Sequence, residues 1–500
     1  MDFGGLLAGF AEALTWWNLL YCLIGVTVGM FVGVLPGLGP TTATALLIPM
    51  TFGLDPISAI IMLCGIYYGG MYGGTITSVL INTPGEAASA ITCMDGYPLA
   101  KQGRAGVALS VAAVGSFIGG TISILGLALI APALAEFALR FGPPEFFALM
   151  IFGLVMVIGL MGSSIIRGLI SAFLGLTLAL VGMDPVSGAM RFTFGEPFLV
   201  NGFDIVTIAM GLFGISELLI GMENLRNAEK PAEVGGLMPK KEELMPTAKS
   251  IGRGTVLGFL TGLIPGTSST IPALLSYSLE QRLSKNPSRF GKGAVEGVAG
   301  PETANNSYVG AALVPLFTLG IPSSPTIAIL LGAFIMHGLT PGPALFQNNP
   351  VFVWGIIASM FIGNVFLLIM NLPMARMWAK VAAIPPKLLY PMILIVTVLG
   401  AYTVSNSLWD VGVMLAFGVL GYFMKKLDIP LAPILLTFVL CQLMESSLMQ
   451  SIKLFEGNLL NIFQRPISVI MLAISFLVLL FSVIAEVKNK KSKLAGDMEA

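Results

Sequence analysis

Apolar stretches long enough to cross a bilayer recur from one end of the 500-residue chain to the other. A spanning helix needs about 20 mostly apolar residues. Segments of that kind, or slightly shorter, fall at about 14–35, 40–52, 56–82, 105–130, 143–162, 167–183 and 203–221. They resume at about 254–280, 293–320, 324–337, 351–371, 387–407, 409–424, 430–449 and 466–486. Between the two sets lies the longest polar run inside the chain, 223–253, with Glu223, Arg226, Glu229, Lys230, Lys240, Lys241, Glu242 and Glu243 among its charges. The pattern predicts an all-α polytopic membrane protein of about 10–12 transmembrane helices. It divides into a first membrane repeat (1–222), a joint (223–253), a second membrane repeat (254–450), an additional C-terminal transmembrane helix (451–487) and a polar tail (488–500).

The repeats are read from landmarks that occur in the same order twice. GMFVGVLPG (29–37) aligns with GFLTGLIPG (258–266), which puts Gly29, Gly33, Pro36 and Gly37 in register with Gly258, Gly262, Pro265 and Gly266. VLINTPGE (79–86) lies against FTLGIPSS (317–324), with Pro84 opposite Pro322, and PPEFF (143–147) matches PPKLL (385–389). Basic residues collect in cytoplasmic loops. With the joint inside, the basic stretch Arg282, Lys285, Arg289, Lys292 is inside as well, while its counterpart Phe52-Gly53-Leu54-Asp55 has no basic residue and falls outside. Lys387, Lys425 and Lys426 are inside, and only Arg140, Arg191, Lys453 and Arg465 fall outside. The halves therefore run in opposite senses, with the N-terminus outside and the C-terminus cytoplasmic. Inverted-topology repeats are a frequent plan of secondary transporters.

Composition narrows the reading. Apolar residues make up 56% and charged residues 10% of the chain, against roughly 25% charged in a soluble domain. The formal net charge is zero, so nothing recommends a nucleic-acid partner. Cys22, Cys64, Cys93 and Cys441 are scattered without metal-binding or redox spacing. The N-terminus lacks the basic region and cleavage site of a signal peptide. There is no P-loop, HExxH or GxSxG, so neither nucleotide-driven pumping nor these enzyme chemistries are encoded.

In inverted-repeat transporters the substrate sits at the repeat interface, between helices broken near mid-membrane. The sequence signature is a Gly/Pro-interrupted apolar segment at matching places in both halves, and this chain has two matched pairs. The first is Pro36-Gly37 with Thr41 and Thr42, against Pro265-Gly266 with Thr267, Ser268 and Ser269. The second is Asn82-Thr83-Pro84-Gly85-Glu86 against Pro322-Ser323-Ser324. Proline removes a backbone donor and breaks the helix. The helix that restarts presents free N–H groups and the positive end of its dipole. With adjoining hydroxyls these form re-entrant hairpins that cradle an anion without a fixed cation. No metal-ligating side-chain cluster is indicated; backbone carbonyls freed where the preceding helices end are the places for a Na+ ion.

An acid at membrane depth is a functional candidate by default. Glu86 at its break and Glu302 in the polar run Gly300-Pro301-Glu302-Thr303-Ala304-Asn305-Asn306 are the candidates for ion or proton coupling, and Asn305 and Asn306 for lining the solute path. The glycine-rich stretch 67–74 faces that run in repeat register and is read as a close-packing surface. Glu217 and Glu445 are read as interfacial anchors, and His337, the sole histidine, as no metal site.

The stretches GVLPGLGPTTATALLIP (33–49), YYGGMYGGTITSVLINTPGE (67–86), GLIPGTSSTIPALLSY (262–277), GPETANNS (300–307) and LFTLGIPSSPTIAILLGA (316–333) resemble the large membrane subunit of the tripartite tricarboxylate transporters, and the likeness extends over nearly the whole chain. The resemblance implies a binding-protein-dependent secondary importer of carboxylates such as citrate, coupled to a Na+ or H+ gradient, in the bacterial inner membrane. It implies as partners a small membrane subunit and an extracytoplasmic solute-binding protein, and it implies no cofactor and no enzymatic activity. The competing class is a passive anion or solute channel, which needs a continuous wet pore. The orientation has its own test: a cysteine placed at Lys240 is expected to react with membrane-impermeant thiol reagents only after the cell is opened.

Overall fold

The computed structural model describes residues 3–35, 37–160, 164–184, 187–223, 232–382 and 384–499, the side chains of 160, 386, 485 and 487–499 excepted. Pro36 and residues 224–231 of the joint lie outside the described residues. After an N-terminal helix, Phe3–Ala13, the first half contains α1 (Trp16–Val34), α2 (Pro40–Leu47), α3 (Pro56–Ile81), α4 (Ala90–Lys101), α5 (Ala105–Ala138), α6 (Pro143–Leu160), α7 (Ile165–Ala179) and α8 (Ile205–Glu223). The second contains α9 (Lys241–Gly262), α10 (Thr270–Leu283), α11 (Glu296–Leu319), α12 (Pro325–Met336), α13 (Pro350–Asn371), α14 (Pro386–Ser405), α15 (Leu408–Lys426) and α16 (Ala432–Leu454), before a last helix, Pro466–Glu499. The sole sheet among the described residues is a ribbon pairing Gly182–Met183 with Met190–Arg191. Among the described residues nine helices are long and apolar enough to cross a membrane, so the chain is an all-α, multi-pass membrane protein. Several further apolar segments are shorter helices, and α9 and the first half of α11 carry polar residues.

The polar run read as a joint is in part a helix. α9 begins at Lys241, inside it, with Glu242 and Glu243 in its first turn. There acids oppose the positive end of the helix dipole. The Glu243 carboxylate accepts the Lys240 N–H at 2.9 Å and pairs with Arg104 at 2.6 Å. Here the charges start the helix and dock it onto α5 through Arg104.

Without water to drive apolar surfaces together, helices in a bilayer associate where small residues let backbones meet. α1 and α3 do this through Gly25, Gly29 and Gly33, where an added Cβ would stand 2.2, 2.4 and 2.3 Å from the carbonyl oxygens of Met62, Ile66 and Gly70. α9 and α11 repeat the arrangement: Cβ atoms at Gly254, Gly258 and Gly262 would stand 2.5, 2.1 and 2.7 Å from the carbonyls of Gly300, Ala304 and Tyr308. The same four-residue spacing on both leading helices carries the sequence landmarks into matching structure. α3 and α11 are enclosed almost from end to end. Farther out the halves interleave, α16 of the second against α7 of the first and α15 against α8; Gly175 abuts the Ile434 carbonyl and Gly211 the Met414 carbonyl.

The described helices end and restart beside Gly37, Pro84, Pro265–Gly266 and Pro322. α3 stops at Asn82 and α11 at Gly320, both in the left-handed conformation. α1 gives way to α2 across residues 35–39, and α9 to α10 across 263–269. Because the glycine seams admit no side chain, Gly29→Ala is expected to lower stability by about 1–3 kcal/mol, while Gly252→Ala, which meets no atom within 4 Å, leaves it unchanged; thermal unfolding in detergent compares them.

Candidate functional site

The restarted helices point at one place. α2, α10 and α12 begin at Pro40, Thr270 and Pro325, and the segment Pro84–Ala87 leads into α4. Their starts border a single cavity of about 400 Å3, lined by Gly37, Thr41 and Thr42, by Pro84, Gly85 and Glu86, by Ser268, Ser269 and Thr270, and by Ser324, Pro325 and Thr326. That volume lies in the roughly 300–1,000 Å3 range of small-molecule pockets. No lysine or arginine is among its lining residues.

The walls are tied across the halves. The Thr41 and Thr326 hydroxyls share a hydrogen bond of 2.7 Å, joining α2 to α12. The matching junction of α10 with α4 is made by the Tyr277 hydroxyl donating to Asp95 at 2.9 Å. Asp95 also accepts the Gly293 and Ala294 N–H groups at 2.7 Å each, which fixes the approach to α11. Within each half the two breaks touch. The Gly266 N–H donates to the Ser323 carbonyl at 3.0 Å, and a Cβ on Gly85 would stand 2.1 Å from the Gly33 carbonyl. Gly266 itself has φ +79° and lies on the Val157 backbone, so no side chain fits there.

Several expected residues serve the walls instead of the cavity. Asn82 and Thr83 are exposed at the end of α3, where Asn82 is its left-handed cap and the Thr83 N–H donates to the Thr77 carbonyl at 3.3 Å. The Thr267 hydroxyl donates to the Thr261 and Ile264 carbonyls at 2.9 and 2.8 Å, closing the end of α9, and the Thr267 carbonyl accepts from Tyr308. Pro265, Gly266 and Pro322 shape the turns without lining the cavity. The Ser323 hydroxyl donates to the Ala312 carbonyl at 3.0 Å, while Ser324 caps α12 by accepting the Ile327 N–H and also faces the cavity.

Glu302, Asn305 and Asn306 form a second polar cluster away from the breaks. They lie within α11, not on a turn, and are buried. Glu302 accepts from Thr75 of α3 at 2.7 Å, from Thr92 of α4, and from Asn305 at 3.3 Å. Asn306 donates to Ser116 of α5 at 2.9 Å. A buried carboxylate with this many donors is a satisfied cross-brace between the halves.

Sequence reasoning missed a third side of the cavity. α8 contains a π turn, Met210–Ile215, a distortion frequent at functional sites. It turns Phe213 toward the cavity, and the Phe213 carbonyl accepts the Thr42 hydroxyl at 3.0 Å. One turn on, Glu217 also lines the cavity and forms an ion pair with Lys425 of α15. Glu217, read from the sequence as an interfacial anchor, thus also lines the cavity wall, just after the π turn. Glu445 is paired with Arg191 of the ribbon at 2.6 Å. His337 stands 3.4 Å from the Thr51 hydroxyl, and no cluster of metal-ligating residues occurs among the described residues. Tyr67, Met71 and Tyr308 also line the cavity. Only their places on α3 and α11, the helices that end at the second pair of breaks, mark them in advance.

A family model described as "Tripartite tricarboxylate transporter TctA family" matches residues 19–436. A protein of Agrobacterium vitis, described as "Uncharacterized 52.8 kDa protein in TAR-I ttuC' 3'region", is 42% identical over 491 residues, 97% of this chain and 97% of the relative. A second from the same species, "Uncharacterized protein in TAR-II ttuC' 3'region", is 40% identical over 237 residues, 47% of this chain and 98% of the relative. No solved structure matches the chain.

The Glu302 brace yields a measurable expectation. Glu302→Ala strips Thr75, Thr92 and Asn305 of their acceptor and is expected to cost about 1–3 kcal/mol. Glu302→Gln, which keeps an oxygen in place, costs less; thermal unfolding of the purified chain ranks the two.

Proposed function

The chain belongs to the tripartite tricarboxylate transporter TctA family, and from that premise we propose that the cavity between its broken helices is the translocation site for a tricarboxylate or related carboxylate. The observation that carries this is the meeting of both pairs of breaks at one cavity lined by hydroxyls and helix starts, with no basic side chain. Helix N-termini offer unbonded N–H groups and a positive dipole end, which suits carboxylates. Recognition is then by many weak donors. An anion held this way leaves more readily than one paired with arginine.

In this reading the chain is the translocating subunit of a secondary importer in the bacterial inner membrane, with its C-terminus in the cytoplasm. It works beside a small membrane subunit, receives solute from an extracytoplasmic binding protein, and draws on a Na+ or H+ gradient. Support comes from family membership and from the absence of a P-loop in the sequence. Uptake of labelled citrate into vesicles carrying the partner subunits tests it. Uptake that persists after both gradients are dissipated overturns the coupling, and ion currents far above carrier turnover overturn the carrier in favour of a channel. Within that assay Ser324→Ala and Thr41→Val are each expected to raise KM for citrate about threefold to tenfold, the worth of one hydrogen bond.

A further inference from the structure

Two carboxylates border the cavity, and the structure treats them differently. Glu217 is balanced by Lys425 in a direct ion pair. Glu86 has no such partner. It is 8% exposed, and its Oε1 is buried without a hydrogen bond from any described group. Its stem is held between two backbones: a Cβ on Gly74 would stand 2.9 Å from the Glu86 Cγ, and one on Gly39 3.5 Å from its Cβ. The titratable groups that line the cavity with it are Tyr67 of α3, Tyr308 of α11 and Glu217 of α8, the last paired with Lys425 of α15; behind them lie Tyr72 of α3, Glu302 of α11, and Cys93 and Asp95 of α4, where Asp95 is held by Tyr277 and two backbone N–H groups. None of these but Lys425 carries a positive charge, and Lys425 is already paired with Glu217. Glu302, a buried acid of α11, differs from Glu86 in having three side-chain donors, Thr75, Thr92 and Asn305.

An ionised Glu86 would be an unpaired charge with a bare oxygen, which is costly inside protein. It would also repel the anion that the surrounding helix starts attract. A proton on the carboxyl removes both penalties and supplies an O–H donor toward the cavity. We propose that Glu86 is the proton-bearing group of the transport site: its carboxyl is neutral while the cavity holds the substrate anion. The step is a plain acid–base one. The carboxylate takes a proton from the side where the anion enters and returns it to water on the side where the anion leaves. The proposal rests on reading the cavity as the anion site and selects H+ as an ion that moves with it.

The experiment uses the full chain in lipid nanodiscs and infrared difference spectroscopy. At neutral pH the carbonyl band of a protonated carboxyl is expected in the wild type, lost in Glu86→Gln and kept in Glu302→Gln. Citrate, the probe anion, is expected to hold that band to higher pH. In vesicles with the partner subunits, KM for citrate is expected to rise about tenfold per pH unit once Glu86 titrates, and to stay flat with pH in Glu86→Gln. A wild-type spectrum without that band at neutral pH overturns the proposal. So does a band that appears only when Na+ is removed, which would make Glu86 a cation ligand. An unchanged pH profile in Glu86→Gln overturns it as well. A protonated Glu86 that citrate does not influence, with no citrate uptake, refutes the anion reading of the cavity and leaves the carboxyl's protonation standing, so the two failures are told apart.

Discussion

Backbone-to-backbone contact along two glycine seams is the interaction on which this fold depends. A helix broken inside a bilayer exposes N–H and C=O groups that lipid cannot satisfy, so such breaks persist only where protein shields them or water reaches them. The shield here is the pairing of α1 with α3 and of α9 with α11. Each pair brings carbonyls so close that any side chain at Gly25, Gly29, Gly33, Gly254, Gly258 or Gly262 would collide with them. Each seam ends at a break, and the neighbouring break rests on it: Gly85 against the end of the first seam, Ser323 against the turn after the second. The chain stops and restarts its helices beside seams where neighbouring backbones are in direct contact.

The electrostatics follow from that geometry. Fixed cations are kept out of the centre; Arg104, Arg253 and Lys426 are paired with Glu243, Glu280 and Glu223. What remains at the centre is partial positive charge from helix starts, a ring of hydroxyls and one unbalanced carboxyl. Partial charges hold an anion without the large desolvation cost of a buried full charge, and hydroxyls can donate or accept as a bound group changes. The Thr41–Thr326 bond shows the same economy: it closes the site across the halves through two neutral groups.

The parts of this architecture that proline and glycine punctuate could be read in the sequence. The breaks at Gly37, Pro84, Pro265 and Pro322 are backbone events with a local chemical cause, and the repeat register added a second, independent copy of each. The close-packing role of the stretch 67–74 was legible for the same reason. The placement of Glu302 was not, because a polar run flanked by apolar segments looks alike whether it caps a turn or is buried in a helix with donors from two others. Thr75 and Thr92, which decide the matter, are 227 and 210 residues away in sequence. The place of Glu217 on the cavity was not legible either, for a different reason. Its side chain is aimed by the π turn before it, and nothing in Met210–Ile215 announces that distortion as proline announces a break.

That π turn has a consequence for how the chain can vary. A π turn is an α-helix with one residue too many for its hydrogen bonds, and each residue of an α-helix advances the direction of the next by about 100°. Loss of a single residue between 210 and 215 would let α8 relax to regular helix and swing everything after it around the axis. Glu217 would leave Lys425, and Glu223 would leave Lys426. The segment is thus in phase with its neighbours only at its present length. Homologous chains that keep both ion pairs are bound to keep the count of residues in α8, even where its apolar side chains drift freely.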